Sequence, residues 1–128
     1  MRLWRGRVAV TAERVTTALR SRAFLAANEH ELHEGIESAL RYDGVEFERE
    51  VRLDARSRVD FLTDDGVAIE VKVDGAVGEV ARQLERYARS PRVTSVVLVT
   101  TRARHLTLRS FATMADKPLA VVWLGGVA

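Results

Sequence analysis

Apolar and polar residues alternate through the middle of the chain in a pattern that predicts three consecutive strands. Residues 45–53 place mainly apolar side chains at odd positions and charged side chains at all four even positions, which is typical of a half-buried strand. Ser57–Thr63 and residues 67–73 are two further apolar segments, and the Asp64-Asp65-Gly66 sequence between them is typical of a tight turn. We therefore expect a three-stranded antiparallel unit that ends in a β-hairpin.

Two later segments, residues 93–100 and 119–124, are almost continuously apolar. Such runs are typical of strands that are covered on both faces. A helical pattern separates the hairpin from the first of these segments. We therefore expect that strand to run parallel to the second hairpin strand and to be reached by a right-handed crossover.

Apolar residues at helical spacing predict helices at residues 11–22, 28–42, 76–90 and 106–114. Thr11 is a suitable N-cap for the first helix. Asn28 is a suitable N-cap for the second, and Glu31 can complete a capping box with it. Pro91 ends the third helix.

These elements predict a single α/β domain of residues 1–128, with a central mixed β-sheet flanked by helices. The length of 128 residues is that of one domain. Within it we take residues 28–128 as the core and residues 1–27 as an N-terminal extension. Residues 1–10 of this extension are expected to form a short strand or an arm.

Composition narrows the possible chemistry. The chain has no cysteine, which excludes disulfides, zinc–thiolate sites and thiol catalysis. No apolar run approaches the roughly 20 residues of a membrane span. Residues 1–7 mix arginine with apolar residues and lack the apolar block of a signal peptide. We therefore expect a soluble cytoplasmic protein that has no membrane partner.

Charge is distributed in blocks, although the net charge is only +2. Residues 29–80 carry 15 acids against six cations, whereas residues 81–128 carry eight cations against two acids, and residues 1–28 carry six arginines against one acid. Acids that bind a metal and arginines that bind phosphate would produce this layout, but charge blocks are also common on solvated faces. The 18 arginines against two lysines favour bidentate phosphate contacts or reflect the base composition of the genome.

Asp60, Glu70 and Lys72 lie inside the apolar strands of the hairpin, where ionisable side chains are costly to bury without partners. Glu70 and Lys72 are two residues apart and share a strand face. A three-residue loop with Gly66 in the left-handed position places Asp60 opposite Glu70, whereas a two-residue turn would separate them. We expect the three-residue loop, because it also gathers the apolar residues into one core face: Val59, Phe61, Ile69, Val71 and Val73.

Two carboxylates that face each other repel and would share a proton unless a cation lies between them. Mg²⁺ usually binds through one or two carboxylates, several waters and phosphate oxygens. The Val71 carbonyl points to the same side and is a further candidate ligand. Lys72 can then orient or deprotonate an attacking water, or neutralise the charge of the phosphate. The residues therefore predict a Mg²⁺ or Mn²⁺ site that acts on a phosphate ester.

Asp60…Glu70-Val71-Lys72 resembles the D…(D/E)-x-K signature of the PD-(D/E)xK nuclease superfamily, which includes restriction enzymes, archaeal Holliday-junction resolvases and RecB-type exonucleases. Here the signature lies on consecutive predicted strands, between a capped helix and a further helix, which is the order of the family core. The resemblance covers roughly residues 28–101. Val59 stands where the family usually has proline. The resemblance implies a restriction endonuclease-like core and the metal-dependent hydrolysis of phosphodiester bonds in DNA.

Many members of this family carry another metal-binding acid on the helix before the sheet. Glu29 is the matching residue here, because it shares the helix face of Leu32 and Ile36. The alternative is that Glu29 is simply a favourable acid in the first turn of a helix.

Gln83-Leu84-Glu85-Arg86-Tyr87 is similar to the Q-x-x-x-Y motif of RecB-like nucleases, which implies that Gln83 and Tyr87 line the cleft. Gln83 would then hydrogen-bond Lys72, a water or a phosphate. Arg82 and Arg86 flank Gln83 and are candidate phosphate contacts. The alternatives are core packing for Tyr87 and an ordinary surface position for each arginine.

The three histidines show no metal-binding spacing. We expect His30 to be exposed. His33 lies near the apolar face of its helix and could approach the site, although we expect a packed histidine.

The leading interpretation is a metal-dependent DNA endonuclease that is selective for backbone or structure, as in junction resolution or repair, because no further DNA-reading domain is present. One site cuts one strand, so paired cuts require a homodimer, to which the terminal apolar strand or the N-terminal segment would contribute. Two alternatives remain. One is a nucleic-acid-binding module of the same fold with little turnover, and the other is a purely structural salt-bridge cluster.

Overall fold

The structure is a computed structural model and describes residues 9–21 and 28–124. Its elements, in chain order, are α1 (Ala12–Arg20), α2 (Glu29–Tyr42), β1 (Phe47–Asp54), β2 (Ser57–Thr63), β3 (Val67–Lys72), α3 (Val77–Ala88), β4 (Ser95–Thr100), a 3-10 helix (Ala103–Ser110), β5 (Thr113–Met114) and β6 (Lys117–Trp123). The predicted first strand or arm falls on residues 1–10, of which residues 1–8 lie outside the described residues.

Six strands form one mixed sheet in the order β1-β2-β3-β4-β6-β5. β1, β2 and β3 pair antiparallel, β3 pairs parallel with β4, and β4 pairs parallel with β6. The predicted single α/β domain with a mixed sheet and flanking helices is therefore confirmed.

The helices cover both faces of the sheet and create two core clusters. On one face, α1 and α2 pack against apolar residues of β2, β3, β4 and β6. On the other face, α3 and the 3-10 helix do the same. α1 belongs to this packing because Val15 and Leu19 are fully buried in the first cluster. This part of the predicted N-terminal extension is thus integral to the domain.

The helix starts follow the predicted capping chemistry. The Thr11 side chain accepts a hydrogen bond from the Arg14 N–H, and the Asn28 side chain accepts one from the Glu31 N–H at 2.8 Å. These bonds pair N–H groups that the first turn of a helix leaves free. The Asn28 cap fixes where α2 begins, and therefore where Glu29 stands relative to the sheet.

The hairpin has the predicted register. Phe61 pairs with Ile69 and Leu62 pairs with Ala68, which places Asp60 opposite Glu70. Gly66 has φ +89°, and its N–H donates to the Thr63 carbonyl at 2.9 Å. The left-handed glycine therefore closes the three-residue loop.

The predicted core face is wrong for Val59. Val59 packs with Val51 in the second cluster, although Phe61, two residues later, lies in the first. The cause is a local irregularity, because Glu50, which lies opposite Asp60, has φ +52° and regular pairing is interrupted there. The two strands change face at this point, and a left-handed non-glycine residue is uncommon enough that the sequence pattern does not reveal it.

The predicted helix at residues 106–114 is also corrected. A 3-10 helix over Ala103–Ser110 is followed by a β-hairpin of β5 and β6, whose Ala115-Asp116 turn has φ +49° and +67°. Two positive φ values are typical of the tight two-residue hairpin turn. Among the helices in the described part of the chain, none is long and apolar enough to cross a membrane.

Candidate active site

Asp60 and Glu70 meet where β2 and β3 separate. The Asp60 side chain accepts a hydrogen bond from the Val71 N–H at 2.8 Å, and the Glu70 side chain accepts one from the Asp60 N–H at 3.3 Å. Side-chain carboxylates thus bind backbone donors of both strands at this point. Both side chains are thereby held in place by the backbone of the hairpin.

Lys72 lies beside Glu70, with its Nζ atom 3.2 Å from Glu70 Oε2. The two residues project from the same face of β3, as their spacing predicts. The Glu70 side chain is 5% exposed and that of Lys72 is 24% exposed, so the ammonium reaches the surface while the carboxylate does not. The ammonium therefore contacts one of the two carboxylates, that of Glu70.

Tyr87 holds Glu70 from the interior. Its hydroxyl lies 3.0 Å from Glu70 Oε1 and 2.9 Å from the Arg58 carbonyl, and it accepts a hydrogen bond from Gln83 Nε2 at 2.8 Å. Tyr87 is fully buried, so it lies behind Glu70 and does not contact the open cleft. The Q-x-x-x-Y pair therefore positions the acid, and only Gln83 of this pair also lines the cleft described below.

Burial raises the pKa values of Asp60 and Glu70, and the repulsion between the two carboxylates adds to this effect at Glu70. Burial and, after it, the charge of Asp60 raise the pKa of Glu70 to about 7. Burial also raises the pKa of Asp60, although the hydrogen bond from the Val71 N–H opposes this effect. A bound cation would favour the ionised form of both carboxylates.

The α2 side of the site contains Glu29 and His33. His33 Nε2 lies 3.5 Å from Glu29 Oε2 and 3.8 Å from Asp60 Oδ2. Glu29 thus approaches Asp60 from the preceding helix, as its helix face predicts. His33 also approaches Asp60, which the sequence suggested only as the less favoured alternative to a packed histidine. The available signal was its spacing of four residues from Glu29, which places both on one helix face.

A cleft of about 400 Å³ opens beside Lys72. It is lined by Lys72, Asp74, Gly75, Glu79, Val80, Arg82, Gln83 and Arg86. The structure therefore brings Lys72 together with three residues from α3 that were singled out in the sequence. The two arginines stand on the cleft wall, within reach of an anion bound near Lys72.

The donor set fits a hard divalent cation. In the part of the chain that the structure describes, no three His, Cys, Asp or Glu side chains form a metal-binding cluster. Mg²⁺ needs fewer protein ligands, because it retains several waters and commonly binds one or two carboxylates. Asp60 and Glu70 supply two carboxylates. The Val71 carbonyl faces the same gap as the Val71 N–H that binds Asp60, because both groups of a strand residue point to one neighbour.

No protein-family model matches this chain, and neither a curated protein nor a solved structure is similar enough to be matched to it. The geometry of the site must therefore support any functional assignment.

Proposed function

We propose that this protein is a Mg²⁺- or Mn²⁺-dependent DNA endonuclease of the PD-(D/E)xK type, with a restriction endonuclease-like core. The observation that carries the proposal is the pair of adjacent carboxylates, Asp60 and Glu70, of which Glu70 contacts Lys72 at the edge of a cleft that Arg82 and Arg86 line. A structural salt bridge would need one acid for one lysine. The second acid is explained by a bound cation.

In this proposal Asp60, Glu70 and the Val71 carbonyl hold the ion, and Glu29 supports Asp60 from α2. The bound ion would polarise a phosphoryl oxygen and lower the pKa of a bound water. Lys72 contacts Glu70 and extends toward the cleft, so it can orient the attacking water and offset the charge that develops on the phosphate.

The cleft residues have substrate-binding roles in this proposal. Gln83 is fixed by its hydrogen bond to Tyr87 and presents its remaining polar atoms to the cleft. Arg82 and Arg86 are suited to bind the flanking phosphates, since a guanidinium can form two parallel hydrogen bonds to a phosphate. Such contacts read the backbone rather than the bases, which agrees with a structure-selective enzyme of the junction-resolving or repair type.

The proposal includes a homodimer and a cytoplasmic location, where the DNA substrate would be found. Two equal cuts in a duplex or junction need two copies of the site. Trp123 at the end of β6 is 43% exposed, so this end of the terminal strand offers apolar surface. Light scattering of the purified protein would measure the mass of the assembly directly.

The test is a cleavage panel of supercoiled plasmid, four-way junction, flap and linear duplex in the presence of Mn²⁺. The chain has two lysines, which provide a matched pair of variants. Lys72→Ala should lower the cleavage rate by at least 100-fold. Lys117→Ala should not, because Lys117 binds the Ser90 carbonyl away from the site. Cleavage that survives in Lys72→Ala would reject the assignment.

The runner-up function is a nucleic-acid-binding module with little turnover. The same panel distinguishes the two functions. Retention of the DNA in a gel without cleavage, by a protein that binds Mn²⁺, would favour the binding module.

A further inference from the structure

One nitrogen of His33 is buried and unpaired. The residue is 8% exposed, and its Nε2 atom has no hydrogen-bond partner among the described residues. A buried polar atom without a hydrogen-bond partner is unfavourable and rare in folded proteins. We therefore expect a ligand that forms a hydrogen bond with this nitrogen.

Arg49 determines which nitrogen of His33 carries the proton. Its NH2 group lies 3.2 Å from His33 Nδ1, and a guanidinium can only donate hydrogen bonds. His33 Nδ1 must then accept, so the proton of the neutral ring is on Nε2. Arg49 is itself fixed, because it donates to Glu37 at 3.0 Å and lies over the Phe61 ring.

The Nε2–H group points between two carboxylates. It is 3.5 Å from Glu29 Oε2 and 3.8 Å from Asp60 Oδ2, which is too long for good direct hydrogen bonds. A water molecule that lies to the side of these two lines can be within hydrogen-bond distance of both atoms of each pair. A water molecule can accept from Nε2–H and donate one hydrogen to each carboxylate. A metal ion at this position would face a hydrogen instead of the lone pair that it needs.

We propose that Glu29, His33 and Asp60 bind one water molecule, and that His33 thereby acts as a positioning residue for Asp60. The consequence for catalysis rests on the proposed function: Asp60 is held by the Val71 N–H from the hairpin and by the His33-bound water from α2. Glu29 then contributes through this water and is not itself a metal ligand. Groups that orient a metal-binding carboxylate typically change metal affinity by about 10- to 100-fold when they are removed.

A measurement on the wild-type protein determines which tautomer His33 adopts. Imidazole ¹⁵N spectra at neutral pH should show a protonated Nε2 and an unprotonated Nδ1 for His33, with and without saturating Mg²⁺. The other two histidines are internal standards. His105 Nε2 lies 2.8 Å from the Gly75 carbonyl, which fixes the same tautomer, whereas His30 is exposed and should show a mixture. An unprotonated His33 Nε2, or one that loses its proton when Mg²⁺ is added, would overturn the proposal.

Variants test the positioning role. His33→Gln retains an N–H donor near the position of Nε2, and His33→Leu removes it. The Mg²⁺ dependence of the melting temperature should give a dissociation constant within about threefold of the wild type for His33→Gln, and at least tenfold weaker for His33→Leu. His30→Leu is the control on the same helix and should bind Mg²⁺ as the wild type does. Equal weakening in His33→Gln and His33→Leu would contradict the role of the donor.

The inference and the proposed function can fail separately. In the metal-free protein, the carboxyl ¹³C signal of Asp60 should move in His33→Leu and remain in place in His33→Gln. A protein that shows this signal and the expected tautomer, but binds no Mg²⁺, would reject the nuclease and support the His33 water site. A protein that cleaves DNA while His33 has the opposite tautomer would support the nuclease and reject the water site. If His33→Leu does not fold, the wild-type spectrum still decides.

Discussion

Asp60 and Glu70 are linked reciprocally across the hairpin: Glu70 Oε1 binds the backbone N–H of Asp60, and Asp60 Oδ2 binds the backbone N–H of the residue that follows Glu70. Each carboxylate therefore accepts a hydrogen bond from a backbone N–H of the opposite strand. The strands separate where the acids meet, and the gap between them faces the Val71 carbonyl. A cation in this gap would relieve the repulsion between the acids and explain why both are kept.

Without metal, the stability of the protein should fall as the pH rises toward neutrality. Glu70 has a pKa of about 7 when folded, against 4.5 for the ordinary side chain, so the folded state binds more protons between these values. The unfolding free energy therefore decreases from about pH 4.5 to pH 7, on the order of 3 kcal/mol in total, and levels off above. Urea unfolding at a series of pH values in a chelating buffer measures this slope.

Glu70→Gln should remove most of that slope, because the amide does not titrate. Glu48→Gln, at an exposed position of β1, is the control and should retain it. An unchanged slope in Glu70→Gln would show that another group carries the pH dependence.

Added Mg²⁺ should offset the loss of stability that the repulsion between Asp60 and Glu70 causes. A ligand at about 100 times its dissociation constant stabilises the folded state by about 2.7 kcal/mol, which in a domain of this size is on the order of 10 °C in Tm. Asp60→Asn should abolish the shift, since it removes a charged ligand. Asp64→Asn, in the exposed loop of the same hairpin, should retain it. A wild-type Tm that does not respond to Mg²⁺ or Mn²⁺ would contradict the proposed metal site.

The sequence predicted the features that depend on local chemistry. Gly66 and the alternation of the hairpin were sufficient to place Asp60 opposite Glu70, because a shift of one residue would have exposed the apolar face. The helix face of Leu32 and Ile36 placed Glu29 on the side of the sheet, whereas Gln83 was predicted from the resemblance to the Q-x-x-x-Y motif. The hairpin and the helix face are periodic patterns, and periodicity is visible without tertiary information.

Features that depend on contacts between distant segments were not predictable. The orientation of the His33 ring depends on Arg49, 16 residues later, and that of the Tyr87 hydroxyl depends on Glu70, 17 residues earlier. The Ala115-Asp116 turn lacks the glycine or asparagine that usually marks positive φ, so the first strand of its hairpin was assigned to the end of a helix. In each case the surrounding packing, rather than the local sequence, determines the conformation.

Tyr87→Phe should weaken both the fold and the site. The change leaves Glu70 Oε1 and Gln83 Nε2 without their shared partner in the interior, which should cost about 1–3 kcal/mol of unfolding free energy. The cleavage rate should also fall, since Glu70 is no longer held. Tyr42→Phe uses the other tyrosine, which is 82% exposed, and should change stability by less than about 0.5 kcal/mol. Equal stabilities and rates for the two variants would contradict a positioning role for Tyr87.

Gly66→Ala tests the turn that sets the register of the site. Gly66 has φ +89°, and an added Cβ would lie 2.8 Å from the Arg92 carbonyl oxygen, which is backbone and cannot easily move. The substitution combines an unfavourable backbone conformation with a steric clash, so it should cost at least about 1–2 kcal/mol of unfolding free energy. Because the same turn aligns Asp60 with Glu70, Mg²⁺ binding should weaken as well.

Gly78→Ala in the first turn of α3 is the matched control for Gly66→Ala. The added Cβ would meet only the Arg82 guanidinium at 3.5 Å, so the variant should be as stable as the wild type or slightly more stable. Chemical denaturation with and without Mg²⁺ measures both effects, and a Gly66→Ala protein with full stability and metal affinity would show that the register does not depend on this turn.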